Sequence, residues 1–123
     1  MKTILITTMF SILLGLASTA QASTWQHVGT GNHIYAYVNK NILEPGFMDK
    51  DVWVKFIDGK TGSYTIAEER VSCQNRTLKV KNGYIYDKDN DFVNSFSGST
   101  LEDTSVVPDS LGDFVYNTAC GLN

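Results

Sequence analysis

The only imidazoles in the 123-residue chain belong to His27 and His33, so acid–base or metal chemistry would have to start there. A catalytic histidine needs a nucleophile or a ligand set in a recognisable pattern, and neither Gly-x-Ser-x-Gly nor His-Glu-x-x-His occurs. Both histidines fall in strand-like stretches and are read as structural or exposed, which makes the chain a non-enzyme. The run Asp87-Lys88-Asp89-Asn90-Asp91 places carboxylates at the first, third and fifth positions of a calcium loop. The glycine such a loop needs at its sixth position is Phe92, and the bidentate glutamate at its twelfth is Gly98. The run is therefore read as a solvated turn. No metal and no cofactor is expected.

Binding chemistry has two candidate sources. Arg76, Lys79, Lys81 and Lys88 put four cations within thirteen residues of an otherwise acidic protein, and alternation places Lys79 and Lys81 on one side of a strand. Such a stripe would suit an acidic partner, for example a sulfated glycan, but reads first as a charged edge that prevents strand-on-strand aggregation. Six tyrosines and two tryptophans could also form a contact surface, but in a domain this small most of them are expected in the core.

These residues sit behind a leader. Lys2, an apolar run from Ile4 to Leu16 and the small-residue stretch Ala17-Ser18-Thr19-Ala20-Gln21-Ala22 read as a signal peptide over 1–22, with the mature domain over 23–123. The 13-residue run is too short to span a bilayer, which takes about 20 helical residues, so no transmembrane segment is expected. Removing Lys2 leaves nine basic against thirteen acidic residues, a mature charge of −4. That balance argues against nucleic acid as a partner and favours a protein or glycan. Ser23 follows the cleavage site where a lipidation cysteine would stand, leaving periplasm, outer-membrane surface or medium as destinations.

Cys73 and Cys120 are the only cysteines, and an exported chain meets an oxidising compartment, so a disulfide between them is expected. With 46 residues between the partners, the chain-entropy relation gives about 4 kcal/mol.

Hydrophobic alternation supplies the elements. Trp25 to Val28 and His33 to Asn39 form a hairpin about Gly29 to Asn32; Asn39 to Ile42 makes a helical turn ended by Glu44-Pro45-Gly46. Val52 to Ile57 is a strand, followed by a turn at Asp58 to Gly62. Between Ser63 and Gln74 neither parity stays apolar, which predicts a bulge that switches the inward face. Asn82-Gly83 would suit a hairpin, but Leu78, Val80, Tyr84 and Tyr86 keep one parity across it. One long strand over Arg76 to Asp87 follows, with the turn at Lys88 to Asn90, a return over Phe92 to Phe96, and a polar loop from Ser97 to Ser105. After Pro108, Ser110 caps a helix with Asp113 in its first turn and Gly121 at its end; Leu111, Phe114, Val115, Thr118 and Ala119 form its buried stripe. The fold class is α+β, an antiparallel sheet with a C-terminal helix on one face.

Taken in order, Trp25-x-x-Val28, Tyr37-Val38-Asn39 with Ile42, Val52-Trp53-Val54, Cys73-x-x-Arg76, Tyr86-Asp87 and Val107-Pro108-x-Ser110 followed by Cys120 resemble the surface-adhesin protein E family over nearly all of the mature chain. Two departures are Asn39, where the family often has Asp, and Thr104-Ser105-Val106, where a Trp is common. The resemblance implies a sheet joined to its helix by the disulfide, and binding of extracellular-matrix or serum proteins at the bacterial surface. It also implies a homodimer. The function expected is that of a non-catalytic, adhesin-like envelope protein; the alternative is a periplasmic inhibitor or immunity protein that blocks an enzyme or toxin.

Overall fold

The computed structural model describes residues 24–98 and 103–122; the signal peptide read over 1–22 lies outside them. The described strands are β1 (Trp25–Gly31), β2 (Ile34–Asn39), β3 (Leu43–Gly46), β4 (Asp49–Asp58), β5 (Tyr64–Ser72), β6 (Thr77–Tyr86), β7 (Phe92–Ser97) and β8 (Thr104–Ser105), followed by helix α1 (Leu111–Ala119). All strand pairings are antiparallel, in the order β1-β2-β4-β5-β6-β7, with β3 attached to one end of β4 and β8 to one end of β6. The architecture is α+β dominated by sheet.

The first hairpin turns at Asn32-His33, not over Gly29 to Asn32. Both turn residues have positive φ, 50° and 67°, which matches the twist of a two-residue hairpin loop. Gly29 belongs instead to the strand, where a Cβ would lie 2.0 Å from the ring of Phe114 on α1. The helical turn expected at Asn39 to Ile42 is absent. Leu43–Gly46 runs extended against β4, with Pro45 on an outlying strand, where the missing donor costs no central ladder bond.

The long strand over the Asn82-Gly83 dipeptide is present as β6, and β7 returns after the 88–90 turn. The bulge and change of inward face expected between Ser63 and Gln74 are absent from β5, and the irregularity lies on β6 instead. Glu68 pairs with Asn82 and Glu69 with Val80, which leaves Lys81 as the extra residue. On β5 the parity of Ala67, Glu69 and Val71 faces the core throughout, and the sequence pattern was broken because one of those core positions is the charged Glu69. The bulge also divides the four residues that share a parity in β6. Leu78 and Val80 pack against the core cluster, whereas Tyr84 and Tyr86 lie on the opposite face. Within the loop expected over 97–105, Thr104 and Ser105 pair with Leu78 and Thr77; residues 99–102 lie outside the described set.

The helix forms as predicted. Ser110 Oγ accepts the Asp113 amide at 3.2 Å, and Gly121 takes a positive φ of 69° beyond the last turn. Val115 and Ala119 are buried; Leu111, Phe114 and Thr118 are half-buried, and Tyr116, outside the predicted stripe, is 4% exposed. Its hydroxyl donates to the Cys73 carbonyl at 2.7 Å, so a polar tip is satisfied at the base of the core. Cys73 and Cys120 are joined, with Cα atoms 5.8 Å apart, which locks the end of α1 to the chain just past β5. The core between helix and sheet is built from small side chains, chiefly Ala36, Val38, Val52, Val54, Ala67, Val71 and Val115.

Candidate functional site

Because facing residues of an antiparallel ladder project to one side, the register defines what the other face carries. Tyr35 faces Ile57, which faces Tyr64, which faces Tyr86, which faces Phe92. The next row is His27, Tyr37, Lys55, Ile66 and Tyr84. Trp53, Glu68 and Asn82 form a third row, and Asp51, Arg70 and Lys79 a fourth. Trp25 completes the surface beside Lys55. Helix α1 packs on the opposite side, and no described helix or strand lies across these rows.

Both tryptophans and five of the six tyrosines therefore stand on the face that the helix leaves open, contrary to the expectation that most would be core. The reason is the closeness of α1. With Phe114 seated over Gly29 and Leu111 over Gly31, the strands beneath α1 carry chiefly alanine and valine on the covered side, Phe56 lying at its margin, and the tryptophans and most tyrosines fall to the other parity.

The open face grades from aromatic to ionic. At one end Tyr64 and Tyr86 stack at 5.1 Å with planes 17° apart, and Phe92 meets Tyr86 edge-on at 5.9 Å. Trp53 and Tyr84 stack at 6.4 Å across the sheet. In the middle, Lys55 Nζ stands 4.8 Å from the Tyr64 ring and 5.8 Å from the Trp25 ring. No ion pair joins half-buried Lys55 to a described carboxylate, and its protein neighbours for the charge are the two ring faces. At the other end Arg70 grips Asp51 through two bonds of 2.8 and 2.9 Å, and Lys81 lies 3.4 Å from Asp51 and 3.8 Å from Glu68. The Arg70 hydrogen bonds outweigh the desolvation of Asp51 and hold its carboxyl below the usual range.

The four cations singled out in the sequence do not form one stripe. Arg76 sits on the turn before β6, where it pairs with Asp113 at 2.7 Å and covers the Tyr116 ring. Lys88 lies in the turn at the far end of the ten-residue β6, about 33 Å away at the usual rise per residue. Lys79 and Lys81 do share the open face, as alternation suggested, and the bulge then adds Asn82 to the same side.

The histidines are divided as well. His27 Nε2 meets Thr30 Oγ1 at 2.9 Å and its ring lies 5.2 Å from Tyr37, whereas the backbone of His33 forms the hairpin turn. The 87–91 segment is a turn closed by Asp87, whose Oδ1 accepts the amides of Asp89 and Asp91. Among the described residues no group of three or more His, Cys, Asp or Glu is placed to hold a metal ion.

Sequence reasoning missed Trp25, Tyr35, Tyr37, Trp53, Lys55, Tyr64 and Tyr84 as a set. The signal was present in the alternation of Tyr35 and Tyr37 with Ala36 and Val38, and of Trp53 and Lys55 with Val52 and Val54. Small aliphatic residues on one parity mark the side pressed by a helix, and rings on the other mark a side with space above it. No family model matches the chain, and no curated protein or solved structure matches it significantly.

Proposed function

We propose that the chain is a non-catalytic, exported, adhesin-like protein that recognises a macromolecular partner with the open face of its sheet. The observation that carries this reading is the placement of both tryptophans and five tyrosines on a face that α1 does not use. Tyrosine, tryptophan and arginine dominate the energetics of protein interfaces because they bury much area for few rotatable bonds and keep a polar tip. The signal peptide read in the sequence and the Cys73–Cys120 bond suit an oxidising compartment. No described helix is long and apolar enough to cross a membrane.

The face spans six strands, five gaps of about 4.8 Å, and reaches roughly 30 Å along the longer strands, a footprint of roughly 700 Å². A standard protein interface takes about 800 Å² from each partner. A matrix or serum protein at the cell surface is the partner this reading favours.

Protease shaving of intact producing cells, with a periplasmic marker as control, tests the location this function requires. Loss of the protein while the marker survives supports the adhesin-like role. Protection until the outer membrane is opened would sink it in favour of a periplasmic inhibitor using the same face.

A further inference from the structure

Resting on the reading that the open face is the contact surface, we infer that the partner is a protein presenting a carboxylate within an apolar patch, with Lys55 as the charge that receives it. The ladder places four cations on this face, Lys55, Arg70, Lys79 and Lys81, against three anions, Asp49, Asp51 and Glu68. The face is thus net positive in a chain whose formal charge is −3.

The distribution matters more than the sum. Asp51 and Glu68 are engaged by Arg70 and Lys81 at one end, so the ionic corner is largely neutralised from within. Lys55, on the central strand β4, is surrounded instead by Trp25, Tyr64, Tyr37 and Ile66. Covering this region with apolar surface alone would strip water from an ammonium group and leave it only ring faces. A partner carboxylate at that point supplies the missing counter-charge, and the surrounding rings exclude water from the pair. The extent of the apolar surroundings requires the carboxylate to be set among aliphatic or aromatic side chains. A second copy of this chain placed face to face would bring its own positive surface against this one. A carboxylated sugar would meet Lys55 but cover only a fraction of a six-strand face.

The test uses the oxidised mature protein and a phage-displayed library of random dodecapeptides, with selected sequences then synthesised and titrated. Because both tryptophans lie on the open face, intrinsic fluorescence reports its occupation directly. The expected result is enrichment of peptides with Asp or Glu flanked by apolar residues. Their binding perturbs the fluorescence, weakens as salt is raised, and falls at least tenfold in Lys55→Glu, which keeps a melting temperature close to that of the parent, and in Tyr84→Ala, which stays folded with a melting temperature lower by about 5 °C. Basic or charge-free consensus peptides, or acidic ones that bind Lys55→Glu undiminished, overturn the inference. If such peptides still require Tyr84, the open-face reading survives; if they ignore Tyr84→Ala, both fall. Failure to enrich any peptide, with a fluorescence response to hyaluronan hexasaccharide or self-association that buries the tryptophans, also overturns it.

Discussion

The two faces of the sheet are built to different rules. The face under α1 is lined by Ala36, Val38, Val52, Val54 and Val71, all essentially inaccessible, with the helix held by packing and by the Cys73–Cys120 bond. The other carries wide rings, a caged lysine and an ion-paired corner, with Tyr35 and Tyr84 at 42% and 36% exposure. Close packing against a helix selects small, stiff side chains and leaves no tolerance for added volume. A surface that serves recognition selects side chains that pack among themselves loosely enough to be completed by a partner. On the proposed reading, stability and recognition fall to opposite sides of the same strands, and β4 contributes to both: Val52 and Val54 face the helix, Trp53 and Lys55 face out.

If that division holds, substitutions on the two faces separate in what they damage. The largest effect is expected from opening the disulfide. Replacing Cys73 and Cys120 with Ser removes about 4 kcal/mol, which lowers the melting temperature by on the order of 20 °C in calorimetry. An unchanged melting temperature would show that the bond does not hold the covered face together.

A second lever lies inside the covered layer. Glu69 is 6% exposed, between Val52 and Val80 in the ladder, and its Oε1 has no hydrogen-bond partner. Burial pushes its carboxyl up from 4.5 to about 7. Between those values the unfolded chain releases the proton and the folded chain keeps it, so this group favours folding below pH 4.5 and progressively less as pH rises to 7. The loss is roughly 3 kcal/mol. Urea unfolding at pH 5 and pH 8 should show the parent weakening over that range, and Glu69→Gln should be nearly insensitive to it and the more stable of the two at pH 8. Equal pH slopes in the two proteins would remove Glu69 as the cause.

Smaller effects sharpen the contrast. Gly29→Ala drives a methyl into the Phe114 ring and should cost about 2 kcal/mol in denaturant midpoints, the overpacking penalty of a tight face. Tyr84→Ala, on the open face, should cost only about 1 kcal/mol, the worth of its stack on Trp53. A reversal of that order would mean that the aromatic face carries the fold.

Most of the scaffold was legible in the sequence because its determinants are local. The Ser110 cap and the Gly121 stop follow from short-range chemistry, while the cysteine pair follows from there being only two cysteines in a chain read as exported. The surface was not, because assigning a parity to a face requires knowing which side the helix takes. The Lys81 bulge made that harder, since it moves Tyr84 and Tyr86 to the face opposite Leu78 and Val80 within one unbroken strand. Glu69 misled for a different reason: a carboxyl at a core position looks like a face change in the pattern. Pro45 and Gly46 read as punctuation because nothing in the local sequence announces an outlying strand that pairs only with the end of β4.

Hydroxyl-radical footprinting of the oxidised protein, alone and with a solubilised extracellular-matrix preparation, tests the open face most directly. Trp53, Tyr35 and Tyr84 should be readily oxidised in the protein alone and become protected together when the matrix preparation is added, while Tyr116 stays protected throughout. Protection of Trp53 and Tyr84 before any addition, or protection that arises on another surface while they remain reactive, would contradict it.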